Sequence, residues 1–137
     1  LSKHITILTG SLYEQNKKNY NVSYLFQDGK ITIAKKVILV PFGEYIPLPK
    51  FLKDIVDNYF FNGEEDFTPA KHTTDFIIKG VKFRNAICYE ATTQRLFQGD
   101  VKYMLAISNN AWFEPSIEPT LQKLLLEFYA KINGTTI

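Results

Sequence analysis

Cysteine is almost missing from this chain: Cys88 is the only one in 137 residues. A single thiol excludes an intramolecular disulfide and a zinc site built from several cysteines. Histidine is scarce as well, and neither His4 nor His72 stands at metal-ligand spacing from the acidic residues. The chain therefore points to no metal and no cofactor. Long apolar runs are also lacking, since none approaches the roughly 18 residues of a spanning helix. No stretch has the plan of a signal peptide. Charge of one sign is missing too: 16 basic and 14 acidic residues leave a net +2. That balance argues against a nucleic-acid partner. Neither an internal repeat nor a low-complexity tract is visible.

What is present suits one ordinary domain. Apolar residues make up 45% and aromatics 15% of the chain, enough for a buried core. The chain starts at Leu1 rather than methionine, close to a strand-like Ile5–Thr9, and it ends on another strand-like run, Thr135–Ile137. Residues 1–137 are thus expected to be a single, partial domain cut from a longer protein.

Along the chain, Ile5–Thr9 reads as a strand and Gly10 as the exit from it. Tyr20–Phe26 alternates like a strand. Asp28-Gly29 marks a two-residue hairpin, because that pair accepts positive φ. Ile31–Val40 reads as the returning strand, apolar on both faces and so an interior one. It carries Lys35 on one face and Lys36 on the other, so one of the two is expected to be buried. Pro41–Pro47 ends it. Leu48–Phe61 has helical spacing, with Pro49 in the first turn. Thr74–Ile78 and Val81–Ile87 form a second hairpin across Lys79-Gly80. Val101–Ile107 is another strand. Leu121, Leu124, Leu125, Phe128 and Ile132 outline a last amphipathic helix that starts near Pro119. The mixture predicts an α/β (α+β) fold with several strand ends gathered at one edge, where open sheets tend to bind ligands.

Cys88 falls where a strand ends and where Ala91–Phe97 could open a short helix. A helix there would aim backbone N–H groups at the sulfur, a setting that activates thiols. A lone cysteine is equally at home as a small buried hydrophobe. Position alone leaves both readings open. It does the same for Lys36, functional or snorkelling to the surface, and for Glu44 and Glu90, site residues or local ion pairs. Tyr89 fits core packing. Asn109 fits a loop held by side-chain-to-backbone bonds.

Three segments taken together go further. Lys36–Pro47 (KVILVPFGEYIP), Ile87-Cys88-Tyr89-Glu90 and Ile107–Phe113 (ISNNAWF) stand in this order in the chain. They resemble the carbon–nitrogen hydrolase (nitrilase) superfamily, most closely its membrane branch, the apolipoprotein N-acyltransferases. The resemblance runs from about Leu8 to the last helix. It implies a four-layer αββα sandwich, incomplete here, and a Cys-Lys-Glu triad. Cys88 is then the nucleophile, Lys36 the donor to the oxyanion, and Glu44 a further essential-type glutamate. Tyr89 and Glu90 match residues beside the nucleophile, and Asn109 is taken with them as a supporting residue. Trp112 and Phe113, loop aromatics next to a polar strand end, are expected to line the acyl substrate pocket or touch lipid, with plain core packing as the alternative. The triad's own glutamate precedes Ile5–Thr9 in this family, and Glu14 does not fit its place. Glu114 stands where the family often has glycine. Upstream transmembrane helices and sheet-completing C-terminal strands are expected outside these residues.

The chemistry implied is acyl transfer. A phospholipid donates the acyl chain to Cys88 as a thioester, and the N-terminal amine of a lipoprotein accepts it. The resemblance places the whole protein in a bacterial inner membrane with its catalytic domain facing the periplasm. Two other readings stay open. One is a soluble nitrilase-type amidase with water as acceptor. The other is a non-catalytic remnant whose open sheet edges pair with another chain.

Overall fold

The computed structural model describes residues 5–49, 66–111 and 115–137. Among them, two three-stranded sheets pack face to face and one long helix covers the second sheet.

The first sheet is an antiparallel meander of β1 (Ile7–Gln15), β2 (Lys18–Gln27) and β3 (Lys30–Lys35). Its β2–β3 turn is the Asp28-Gly29 pair, with φ of 51° and 74°, as the composition of the turn dictates. The β1–β2 turn differs from expectation. Gly10 does not end the strand; β1 runs on to Gln15 and reverses at Asn16-Lys17, both at positive φ. The glycine serves packing instead. A Cβ on Gly10 would lie 3.3 Å from Ile107 Cδ1, so its absence lets the two sheets approach.

β3 also departs from expectation. It stops at Lys35 rather than Val40, and it is an edge strand among the described residues, with Ile31 exposed. The backbone amides of Val37 and Ile38 leave the ladder because they bond a glutamate side chain far along the chain.

The second sheet is β4 (Asp75–Ile78), β5 (Val81–Ile87) and β6 (Met104–Ile107). β4 and β5 form the expected hairpin, and β5 and β6 run parallel. The link between β5 and β6 contains two 3-10 segments, Cys88–Thr92 and Gln94–Phe97, instead of the expected short helix. Thr93 between them is fully extended (φ −118°, ψ 132°), which interrupts helical hydrogen bonding. With no α-helix starting there, the helix-dipole argument for Cys88 lapses.

Residues of β6 alternate between two cores, as a strand buried on both faces requires. Leu105 joins Leu25, Ala34 and Phe76 between the sheets. Met104 and Ala106 join Val37, Ala86, Leu96 and Phe97 beneath the helix layer. That layer is α1 (Glu118–Asn133), with proline in its first turn and Gly134 closing it in the left-handed region. The chain then returns beside β6, where the Thr136 carbonyl accepts from the Met104 amide at 2.9 Å.

α1 is turned opposite to its leucine pattern. Leu121, Leu124, Leu125, Phe128 and Ile132 are 46–56% exposed, while Gln122 is buried and Leu126 and Tyr129 pack on the core. Spacing identifies the helix, but the leucine face it outlines is not the one packed on the described core. Sheet, sheet and helix account for three of the four layers implied by the family. The helix expected over Leu48–Phe61 lies, apart from its first two residues, outside the described residues.

Candidate active site

Cys88 is the first residue after β5 and has φ of +53°. A left-handed backbone on a non-glycine residue typically costs about 1–3 kcal/mol and persists only where neighbours impose it. Here the imposing neighbour is Glu90. Its side chain curls back so that Oε2 accepts the Ile87 N–H at 2.9 Å. Its other oxygen accepts the Val37 and Ile38 N–H groups at 2.6 and 2.9 Å. One carboxylate therefore joins the residue before Cys88 to the residues after Lys36. These two backbones, about 50 positions apart in sequence, are held as neighbours.

Glu90 is only 1% exposed. Burial pushes its carboxyl above the ordinary value of 4.5, against the opposing pull of its three amide bonds and of the Lys36 charge. The local ion-pair role open to Glu90 from sequence is replaced by a backbone-stapling one.

Lys36 is the buried lysine, at 2% exposure. Its Nζ donates to Glu44 Oε2 at 2.7 Å. The Val40 N–H donates to the same oxygen at 2.8 Å, and Asn21 Nδ2 donates to Oε1 at 2.8 Å. The turn Pro41–Tyr45 presents this carboxylate, since the Glu44 and Gly43 amides both fold back on the Val40 carbonyl. Lys35 faces outward, bonded to Gln15 and set 3.9 Å over the Tyr20 ring. Buried charge without a partner is costly, so the Lys36–Glu44 pair is an obligate unit. Glu44→Gln keeps the shape but leaves the ammonium without its counter-charge. We expect it to lower unfolding free energy by about 2–3 kcal/mol, read from the urea midpoint at constant m-value.

The other expected site residues are distributed unevenly. Tyr89 is 42% exposed, not core. Asn109 Oδ1 accepts its own loop's Ala111 N–H at 3.2 Å, a turn-holding bond. The neighbouring Asn110 reaches inward instead and donates to Gln122 Oε1 at 2.9 Å. Gln122 Nε2 in turn lies 3.6 Å from Cys88 Sγ. Trp112 and Phe113 lie outside the described residues. Asn21, Asn110 and Gln122 escape a sequence reading. Gln122 stands beside charged Lys123 in a leucine-rich stretch and carries no local mark of burial.

The curated relatives bear on this cluster. A Wolinella succinogenes apolipoprotein N-acyltransferase is 50% identical over 137 residues, covering 99% of this chain. One from Helicobacter pylori is 46% identical over 134 residues, covering 96% of this chain. The chain is homologous to the apolipoprotein N-acyltransferases. It spans about a third of their length, 33% and 31% respectively. Among solved structures, a CN-hydrolase superfamily protein from Xanthomonas campestris superposes with a TM-score of 0.65. It is 15% identical, and the match covers 91% of this chain and 43% of that one. The fold of this chain is thus that of the nitrilase, or CN-hydrolase, proteins. No protein-family model matches the chain.

Proposed function

We propose that this chain is the nucleophile-bearing part of a phospholipid:apolipoprotein N-acyltransferase, a single partial nitrilase-like domain. The observation that carries the reading is the sole cysteine, in left-handed backbone at the end of β5 and stapled through Glu90 to the segment that follows buried Lys36. A thiol displayed at a strand end, on a backbone tied to that of a buried lysine, suits attack on an ester carbonyl.

In this reading the Cys88 sulfur bonds the acyl carbon of a phospholipid ester and the carbonyl oxygen takes negative charge. Lys36, steered by Glu44, stabilises that oxyanion. The ester C–O bond breaks, the lysophospholipid oxygen leaves with a proton, and a thioester remains on Cys88. The α-amine of a lipidated N-terminal cysteine then attacks the thioester and forms the amide, and the thiol is regenerated. Both oxygens of Glu90 are committed to backbone amides, and Glu44 is committed to Lys36, Asn21 and Val40. Neither is assigned as the proton-accepting base. The names of the relatives support acyl transfer to an apolipoprotein; the phospholipid donor and an inner-membrane setting with the site facing the periplasm complete the same proposal. Among the described residues no helix is long and apolar enough to cross a membrane.

The acceptor decides between transferase and amidase. The protein expressed from its whole gene is incubated with phospholipid vesicles and a peptide bearing an S-diacylglyceryl N-terminal cysteine. Mass spectrometry is expected to find the peptide gaining one acyl chain as an amide. Blocking its α-amine by acetylation abolishes that product. Release of free fatty acid alone, at a rate indifferent to the amine, would replace the transferase reading with a hydrolase.

A further inference from the structure

Gln122 is the one buried residue on α1, and it is polar. It closes a ring of side-chain hydrogen bonds against the sulfur. Ser108 Oγ donates to Asn110 Oδ1, and Asn110 Nδ2 donates to Gln122 Oε1 at 2.9 Å. Gln122 Nε2 then faces both Ser108 Oγ at 3.4 Å and Cys88 Sγ at 3.6 Å. Two polarities would close such a ring, because a serine hydroxyl both donates and accepts. In the one seen here the oxygen of Gln122 meets Asn110 and its N–H groups meet the serine and the sulfur. In the reverse, both amides are turned over and the sulfur meets the Gln122 oxygen, which only a protonated thiol can satisfy. A sulfur that carries negative charge has no proton to give and selects the first. Turning over Gln122 alone would set its NH2 against that of Asn110.

We propose that Gln122 is a direct hydrogen-bond donor to the Cys88 sulfur, and that Ser108 and Asn110 act through it as positioning residues that fix which end of its amide the sulfur meets. The inference rests on the reading of Cys88 as nucleophile. A donor, rather than an acceptor, is what an attacking sulfur needs while it carries negative charge. It also restrains the sulfur, whose backbone is already held in the left-handed region, to one direction. Gln122 and Tyr89 share the wall of a depression of about 220 Å³ that also touches Thr92, Leu121 and Leu125, so Gln122 itself borders open space.

The test measures the second-order rate of Cys88 alkylation by iodoacetamide, in the protein expressed from its whole gene, folded and in guanidinium. Cys88 in the folded wild type is expected to react faster than in the unfolded chain. Gln122→Met keeps the length of the side chain and removes its N–H groups. It is expected to slow the folded-state rate about tenfold and leave the unfolded-state rate unchanged. Asn110→Asp separates polarity from packing. A carboxylate there accepts only, so the Gln122 amide turns over and meets the sulfur with oxygen. The same slowing is expected although Gln122 is intact and volume is unchanged, and Asn110→Ser, which retains a donor, restores part of the rate. Fast wild-type alkylation with unchanged rates in both Gln122→Met and Asn110→Asp would overturn the role of the ring and leave the nucleophile standing. A folded wild type no more reactive than its unfolded chain would overturn the nucleophile reading itself.

Discussion

Cys88→Ala is expected to abolish the acyl-enzyme. Incubated with phospholipid, the wild-type protein expressed from its whole gene should gain the mass of one acyl chain, and hydroxylamine should remove it, as it removes thioesters. The alanine variant should show no adduct and lose acyl transfer by about 10⁴-fold or more, the scale on which loss of a nucleophile acts in acyl transfer. Within these 137 residues nothing stands in for it: Cys88 is their only thiol, and the carboxylates of Glu44 and Glu90 are tied into lysine and backbone contacts. The substitution is mild for the fold, because alanine removes only the sulfur and Cys88 is half-buried. A melting temperature within a few degrees of wild type therefore accompanies the loss. An adduct that persists in the variant would place the acyl group on another residue and end the assignment.

A second outcome separates the roles of sulfur and lysine. Lys36→Met should retain slow formation of the adduct, since the sulfur remains, whereas Cys88→Ala retains none. Loss of one oxyanion donor costs about 10²–10³-fold in rate, well short of the loss of the nucleophile.

Local chemistry was readable in the sequence and long-range chemistry was not. Asp28-Gly29 and Lys79-Gly80 announce their turns because each pair's own backbone preferences decide the geometry. The placement of Cys88 at the end of β5 follows from the alternation of Val81–Ile87. By contrast, β3 ends at Lys35 because a carboxylate more than fifty residues away takes the next amides, and no local pattern encodes that. Gly10 was misread for a related reason. Its local meaning is a turn, but its reason for being glycine is Ile107 on the facing sheet. The α1 leucines drew attention to a face that points outward, and so hid Gln122, the residue of that helix nearest the sulfur. The lysine pair shows the boundary well. Strand alternation predicts that one of Lys35 and Lys36 is buried without saying which; the resemblance singles out Lys36, and the structure buries it against Glu44.

Removing the carboxylate of Glu90 is expected to have the largest effect on stability. Glu90→Ala strands the Val37, Ile38 and Ile87 N–H groups in a region that excludes water, since Glu90 is 1% exposed. At about 1–3 kcal/mol for each unmade buried bond, with partial relaxation, the loss should reach about 3–6 kcal/mol. Glu90→Gln is the finer probe. Its carbonyl oxygen still accepts from Val37 and Ile38, but its NH2 meets the Ile87 N–H donor to donor, so about 1–3 kcal/mol should go. pH then distinguishes the two forms of the native side chain. Burial raises the folded carboxyl above 4.5, so between 4.5 and its folded value the native state holds a proton that the unfolded chain releases. The stability contributed by this group is therefore complete below about pH 4.5 and declines as pH rises through the folded value. Glutamine does not titrate, so the stability gap between wild type and Glu90→Gln should be widest at low pH and narrow toward neutrality. Urea unfolding of both proteins across that range measures the gap. A gap that widens as pH rises would mean that the three amides and the Lys36 charge outweigh burial, and that the staple is held by an ionised carboxylate whose folded value lies below the unfolded one.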